Sequence, residues 1–299
     1  MTIKNRKNLS QGHFINQNPF LLLKASLNSL YQNPVIIFPT LTLTFIQLLT
    51  LELLYFAPQY PLSFFFAPLI REIWSEEYIH YPLNLILLPK IFYYAQMFIY
   101  LFIGAFLLAF SSKIVAILND HPRVNMRIAF KETLKSYVHI FCASIISFAL
   151  FQLFANGYLA LLQVFIKTKS VKLTTLFWSK ALLWTIPYVQ FLIGILATTL
   201  VVYVIPIIVI ENKKIFAALV KNLKILFRTF PTALAIVALP SLFYLPILVM
   251  RNNIPIFMNT IGPEIQLMII IAGLMVSLAI DLVIVTSITT FYLFMNETR

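Results

Sequence analysis

Runs of apolar residues long enough to cross a bilayer alternate with short polar connectors along most of this chain. A transmembrane helix needs about 20 predominantly apolar residues. Six segments meet that length, near 35–57, 88–112, 140–166, 180–210, 232–250 and 265–294, and each is expected to form a membrane-spanning helix. The runs are continuous rather than alternating, which excludes an outer-membrane barrel. PLSFFFAPLI at 61–70 is too short to span, and its prolines and aromatics suit an interfacial or re-entrant piece.

The connectors carry a second pattern. Three basic amphipathic segments each precede two apolar runs, and the clearest is NKKIFAALVKNLKILFRTFP from Asn212. Aligned without gaps, ASLNSLYQNP from Ala25, AFKETLKSYV from Ala129 and ALVKNLKILF from Ala218 share three positions. These are Ala25, Ala129 and Ala218; Ser29, Thr133 and Asn222; and Leu30, Leu134 and Leu223. In the third segment Ile215, Phe216, Leu219, Val220, Leu223, Leu226 and Phe227 fall on one helical face, with the lysines mostly off it.

The expected fold is therefore an all-α polytopic membrane protein, with six transmembrane helices as three hairpins, each preceded by a basic amphipathic helix. The chain reads as a single integral membrane domain, 1–299, with repeat units near 19–118, 122–210 and 212–295. An amphipathic helix of this kind can bury its apolar face at the headgroup boundary while its lysines meet anionic lipid. The same segments also fit ordinary connectors packed under the bundle.

Composition and charge fix the orientation. The chain is 61% hydrophobic and 11% charged, against roughly 25% charged in a soluble domain. Basic residues cluster in the N-terminal segment (Lys4, Arg6, Lys7, Lys24) and in the second and fourth connectors. The second carries Lys113, Arg123, Arg127, Lys131 and Lys135; the fourth carries Lys213, Lys214, Lys221, Lys224 and Arg228. The positive-inside rule then places both termini in the cytoplasm. The third loop, KTKSVK with Lys180, is basic yet falls outside, where Glu72, Glu76 and Glu77 offer partners. The net charge of +12 follows this topology, so it speaks for a membrane surface and not for nucleic acid. No cleavable signal peptide is visible, and the first span is expected to serve as the insertion signal.

YVIPIIVIEN closing the fourth span, ALVKNLKILFRTFP, and ITTFYLFMNE closing the last span together look familiar. With PFLLLKASLNSLYQNPVIIFPTL near the start, the chain resembles the membrane domain associated with some bacterial glycerophosphodiester phosphodiesterases, and related stand-alone six-helix proteins. The resemblance rests on Pro206, Glu211, Ala218, Leu223 and Tyr292. It implies a six-helix fold in a bacterial inner membrane and no catalysis, because that family's hydrolase is a separate soluble barrel for which this chain has no room.

Candidate chemistry is sparse. Asp281 lies near the middle of the sixth run, where an Asp costs about 2.5–3.5 kcal/mol of insertion free energy and each Leu, Ile, Phe or Val returns about 0.3–0.6. It should face protein or water. Gly273, Ser277 and Asp281 recur every four residues, a stripe suited to close helix contact. Amides occur at similar depth: Gln47, Gln96, Gln190 and, on one face of the third run, Gln152, Asn156 and Gln163. Asp281, Asn156, Gln152, Gln190 and Gln47 form the candidate mid-membrane polar site; interhelical hydrogen bonding would use the same groups. Pro187, Pro206, Pro240 and Pro246 interrupt the fourth and fifth runs, as kinks or as breaks at a binding site.

Cys142 is the only cysteine, and His13, His80, His121 and His139 are scattered, so no metal site is expected. No phosphate-binding loop, dinucleotide fingerprint or nucleophile elbow is present, and no cofactor is expected. Two readings follow. In one the protein is a non-enzymatic scaffold or accessory factor whose Lys213, Lys214, Lys221, Lys224 and Arg228 contact anionic lipid or a cytoplasmic partner. In the other it is a transporter or lipid translocator that uses the mid-membrane polar site.

Overall fold

The computed structural model describes residues 18–121, 123–168 and 173–297, with side chains except at 165–168, 173–183 and 297. Lys4, Arg6, Lys7, His13, Arg299 and the third-loop residues Lys169 and Lys172 lie outside the described residues, as do the side chains of Lys167 and Lys180.

Every regular element among the described residues is helical. The first, α1 (Pro19–Gln32), starts at Asn18, whose side chain accepts the Phe20 N–H and so satisfies one of the orphan donors of a first helical turn. A 3-10 turn at Pro34–Ile37 leads into α2 (Phe38–Phe56). Next come α3 (Ser63–Ile73) and α4 (Leu83–Ile99), which continues through a π-helical turn, Tyr100–Gly104, into α5 (Ala105–Asp120). Asn125 caps α6 (Met126–Lys135), and α7 (Tyr137–Thr168) and α8 (Leu173–Val201) are long. After them stand α9 (Val204–Glu211), α10 (Ile215–Ser241), α11 (Leu245–Asn252), α12 (Ile254–Thr260) and α13 (Ile265–Glu297).

Six stretches are long and apolar enough to cross a membrane: Pro34–Phe56, Leu83–Asp120, Tyr137–Val164, Trp184–Glu211, Ile215–Asn252 and Ile265–Asn296. Large apolar side chains such as Phe45, Leu161 and Phe243 stand exposed along them. Outward apolar surface of this kind is expected where lipid replaces water as the solvent. Consecutive spans pack on each other: α2 on α4 and α5, α7 on α8, and α10 and α11 on α13. Helix α13 also touches α1, α2 and α5, so the last span joins the start of the chain to its end. The largest buried cluster forms around its lower half, with Tyr203, Ile207, Ile208, Ile236, Ile288 and Tyr292 almost wholly buried.

The expected separation of surface helix and span does not occur at the third basic segment. Residues 215–241 form one helix, with Pro231 inside it, so the segment is the opening of the fifth span. Its residues also divide between two faces. Ile215, Ala218, Asn222, Ile225 and Leu226 are buried, while Phe216, Val220, Leu223 and Phe227 form an exposed stripe at helical spacing. The second segment is a separate short helix, α6, and the first is α1.

Burial shifts the register of the gapless alignment at its first member. Ala129 with Thr133 and Ala218 with Asn222 are buried as i, i+4 pairs. In α1 the corresponding buried pair is Ser26 with Leu30, whereas Ala25 is exposed. At the buried position where the other segments place alanine, Ser26 turns its hydroxyl back to the Leu22 carbonyl and so satisfies it within its own helix.

Prolines act unevenly. Pro187 sits inside α8 without ending it, but Pro206 lies just after a break at 202–203, and Pro240 lies just before a 3-10 turn at Leu242–Tyr244. Among the described residues, the break near Pro206 recruits a side chain from another helix. Asn222 of α10 accepts the Tyr203 N–H (3.1 Å) and donates to the Leu200 carbonyl (2.7 Å). A helix interrupted in hydrocarbon must find such partners, because no water is there to supply them.

Candidate functional site

A cavity of about 480 Å³ opens inside the bundle. Its walls come from α4 and the π-helical turn, α5, α7, α8, α9 and α13, and they are mostly apolar. Polar groups are few: Tyr93, Gln96, Tyr100, Ser112, Ser144, Ser147, Thr198 and Asp281. A volume of this order suits a drug-sized ligand, and apolar walls with a few placed polar groups are the usual make-up of small-molecule sites.

The geometry around Asp281 is built by the π-helical turn. An extra residue in the turn re-aims the side chains after it, and such turns recur at functional sites. Tyr100 opens the turn, and its hydroxyl donates to Asp281 Oδ2 over 2.7 Å. The tyrosine ring lies against the backbone of Gly104: a Cβ placed there would sit 3.0 Å from Tyr100 Cδ1. Glycine is what allows this approach. Gln47 and Ser277 flank the Tyr100 hydroxyl, and Gln47 is buried with Nε2 unpartnered. Gly273 packs against Ile247 and Tyr244, so the stripe Gly273, Ser277, Asp281 faces protein along its length.

Of the candidate polar residues, Asp281 lines the cavity and Gln47 stands behind it at Tyr100. Gln152, Asn156 and Gln190 are not among its lining residues; Asn156 and Gln163 are exposed on the outer side of α7. The face of α7 that does line the cavity carries Ala143, Ser144, Ser147, Phe148 and Phe151. Gln96 is the one mid-span amide that reaches the cavity wall.

A second polar cluster holds one end of the bundle. Glu211 closes α9, and Asn212 takes a left-handed conformation (φ 53°) that turns the chain into α10. Asn is one of the residues that tolerates this region. Glu211 Oε1 accepts from Lys221, from the Tyr292 hydroxyl and from Asn296 Nδ2, while Oε2 pairs with Lys213 at 2.9 Å. Lys221 also lies 5.3 Å from the Tyr292 ring centroid. The carboxylate thus ties α9, α10 and α13 together. Lys113 does similar work between α5 and α6, pairing with Glu132 at 2.7 Å.

These pairings divide the expected basic surface. Lys213 and Lys221 are engaged by Glu211, whereas Lys214, Lys224 and Arg228 are exposed beside the apolar stripe of Phe216, Val220, Leu223 and Phe227. At the opposite ends of the spans, Tyr81 donates to Glu264 (3.0 Å), and this bond to a carboxylate raises the phenol above its usual pKa. Among the described residues, no group of three or more His, Cys, Asp or Glu is placed to hold a metal ion.

The sequence had signalled Asp281 by its charge and Glu211 and Tyr292 by the family resemblance, but not Tyr100, Gly104 or Asn222 as partners. Gly104 offered the only local signal, being one of 6 glycines in the chain. Compared with known proteins, the chain matches no family model, no curated protein and no solved structure.

Proposed function

We propose that this chain is a non-enzymatic membrane carrier that binds a lipophilic molecule in its central cavity, the transporter or translocator reading of the sequence. The observation that supports it is a cavity of about 480 Å³ whose apolar walls hold one carboxyl, Asp281. An ionisable residue at membrane depth carries an insertion cost and characteristically marks a ligand or ion path. The fold that goes with this reading is three hairpins in a bacterial inner membrane, with both termini cytoplasmic by the distribution of Lys and Arg.

The test is binding of N-phenyl-1-naphthylamine, a neutral lipophile whose fluorescence rises in apolar sites, to the purified protein in nanodiscs. Binding should saturate, and Gly194→Leu should abolish it, because a side chain at Gly194 grows toward Phe151 in the cavity. Binding unchanged by Gly194→Leu would remove the cavity from the function.

The scaffold reading keeps one observation of its own. Lys214, Lys224 and Arg228 flank exposed Phe216 and Phe227, an arrangement suited to the headgroup region of an anionic leaflet. Both roles can belong to one protein, since cavity and surface lie on different faces of the bundle.

A further inference from the structure

We propose that the ligand of the cavity is a small lipophilic cation, held by Asp281; this rests on the cavity being a binding site. Charge in an apolar space decides which ligand is accepted. Among the described residues that line the cavity, Asp281 is the only carboxyl, and no Lys, Arg or His is present. Lys113, next in sequence to the lining residue Ser112, is not itself in the lining; its ammonium pairs with Glu132 and donates to the Val209 carbonyl. An anionic headgroup entering this space would meet a carboxyl and no counter-charge, and an unpaired charge in apolar surroundings is strongly disfavoured. A cation meets the opposite situation.

Asp281 is also presented for such a contact. Tyr100 occupies Oδ2 and fixes the carboxyl, while Oδ1 makes no hydrogen bond among the described residues. The residue is mostly but not wholly buried, in keeping with its place on the cavity wall. Around it Tyr93, Tyr100, Phe148 and Phe151 supply aromatic rings in the same wall. Rings of this kind attract desolvated cations through their faces. The cavity volume fits one drug-sized molecule rather than an extended two-chain lipid.

The experiment uses two probes of the same shape and opposite charge, tetraphenylphosphonium and tetraphenylborate, in equilibrium dialysis against the full chain in nanodiscs of phosphatidylcholine. The cation should bind at least about tenfold more tightly than the borate, and Asp281→Asn should erase that preference. Gly194→Leu, which leaves Asp281 in place, should weaken binding of the cation. Equal binding of the two probes, or a cation preference that survives Asp281→Asn, would overturn the assignment.

Should Asp281→Asn fail to insert, Tyr100→Phe provides the second variant. It leaves the carboxyl but frees its orientation, and the cation preference should fall without disappearing; an unchanged preference counts against the site. Displacement of the phosphonium by phosphatidylethanolamine would place a lipid amine in the cavity and overturn the small-cation assignment. Saturable binding of the neutral naphthylamine with no charge preference would end this proposal while leaving the carrier reading intact. Absence of naphthylamine binding would end both.

Discussion

Tyr100 and Asp281, 181 residues apart, meet through a 2.7 Å hydrogen bond that joins the second span to the last. The bond fixes the one carboxyl of the cavity wall. Interhelical hydrogen bonds in membranes average about 0.6 kcal/mol and reach about 1.7. Tyr100→Phe should therefore lower stability by about 1 kcal/mol, read as a shift in the midpoint of reversible unfolding in mixed detergent micelles. No shift would mean that the bond does not hold the two helices.

Gly104 offers a way to disturb the same contact without changing a polar group. A methyl at that position would stand 3.0 Å from Tyr100 Cδ1 and 3.5 Å from Leu43 Cδ2. Gly104→Ala should displace the ring and cost about 1–2 kcal/mol, in the range of overpacked cores. If the clash is with the ring, Tyr100→Ala in the same chain should relieve it. A double-mutant cycle should then show a coupling of about 1 kcal/mol, and additive effects would place the strain elsewhere.

The spans were legible because lipid demands uninterrupted apolar length, and Asp281 was legible because a lone charge in such a run has to face protein. Its partner was not, since nothing local to Tyr100 distinguishes it from the other tyrosines until the π-helical turn turns its ring. The amides of α7 show the limit of helical periodicity. Gln152 and Asn156 do share a face, but periodicity says which residues align and not which way the face turns. The basic segment at 212–231 failed as a separate element for a related reason. An amphipathic pattern followed by an apolar run is compatible with two helices or one, and Pro231 does not break a helix whose neighbours hold it. Lys221 was read as surface because lysines of an amphipathic helix usually are; its partner Glu211 comes within reach only through the left-handed turn at Asn212.

Two neighbouring lysines should therefore behave differently. Lys221 pairs with Glu211, and the side chains of both are 20% exposed. Removing one partner of a fully buried pair costs about 3–5 kcal/mol. With Lys213 still on the same carboxylate, Lys221→Gln should cost less, about 1–2 kcal/mol. Lys224 is exposed, so Lys224→Gln should leave the unfolding midpoint unchanged while lowering co-sedimentation with vesicles rich in phosphatidylglycerol. Equal stability of the two variants would remove the structural role of Lys221. Equal vesicle binding by Lys224→Gln and the native chain would remove the surface role of Lys224.

Asn222 carries the most specific structural task in the bundle. Pro206 has no N–H for the Val202 carbonyl four residues before it, and its ring crowds that carbonyl; the helix breaks at 202–203, and the groups left free at Leu200 and Tyr203 are both bonded by the Asn222 amide. Asn222→Leu keeps the number and branching of the side-chain heavy atoms and removes both bonds, leaving a donor and an acceptor without partners. Each unsatisfied group costs about 1–3 kcal/mol, so the loss should be about 2–6 kcal/mol, and the Tyr203 amide should exchange with deuterium markedly faster. Pro206→Ala restores a donor to the broken turn and lets the helix close on itself. Combined with Asn222→Leu it should recover part of the stability and slow the Tyr203 exchange. If the double variant instead loses the sum of both effects, the side chain of Asn222 is not what accommodates the break.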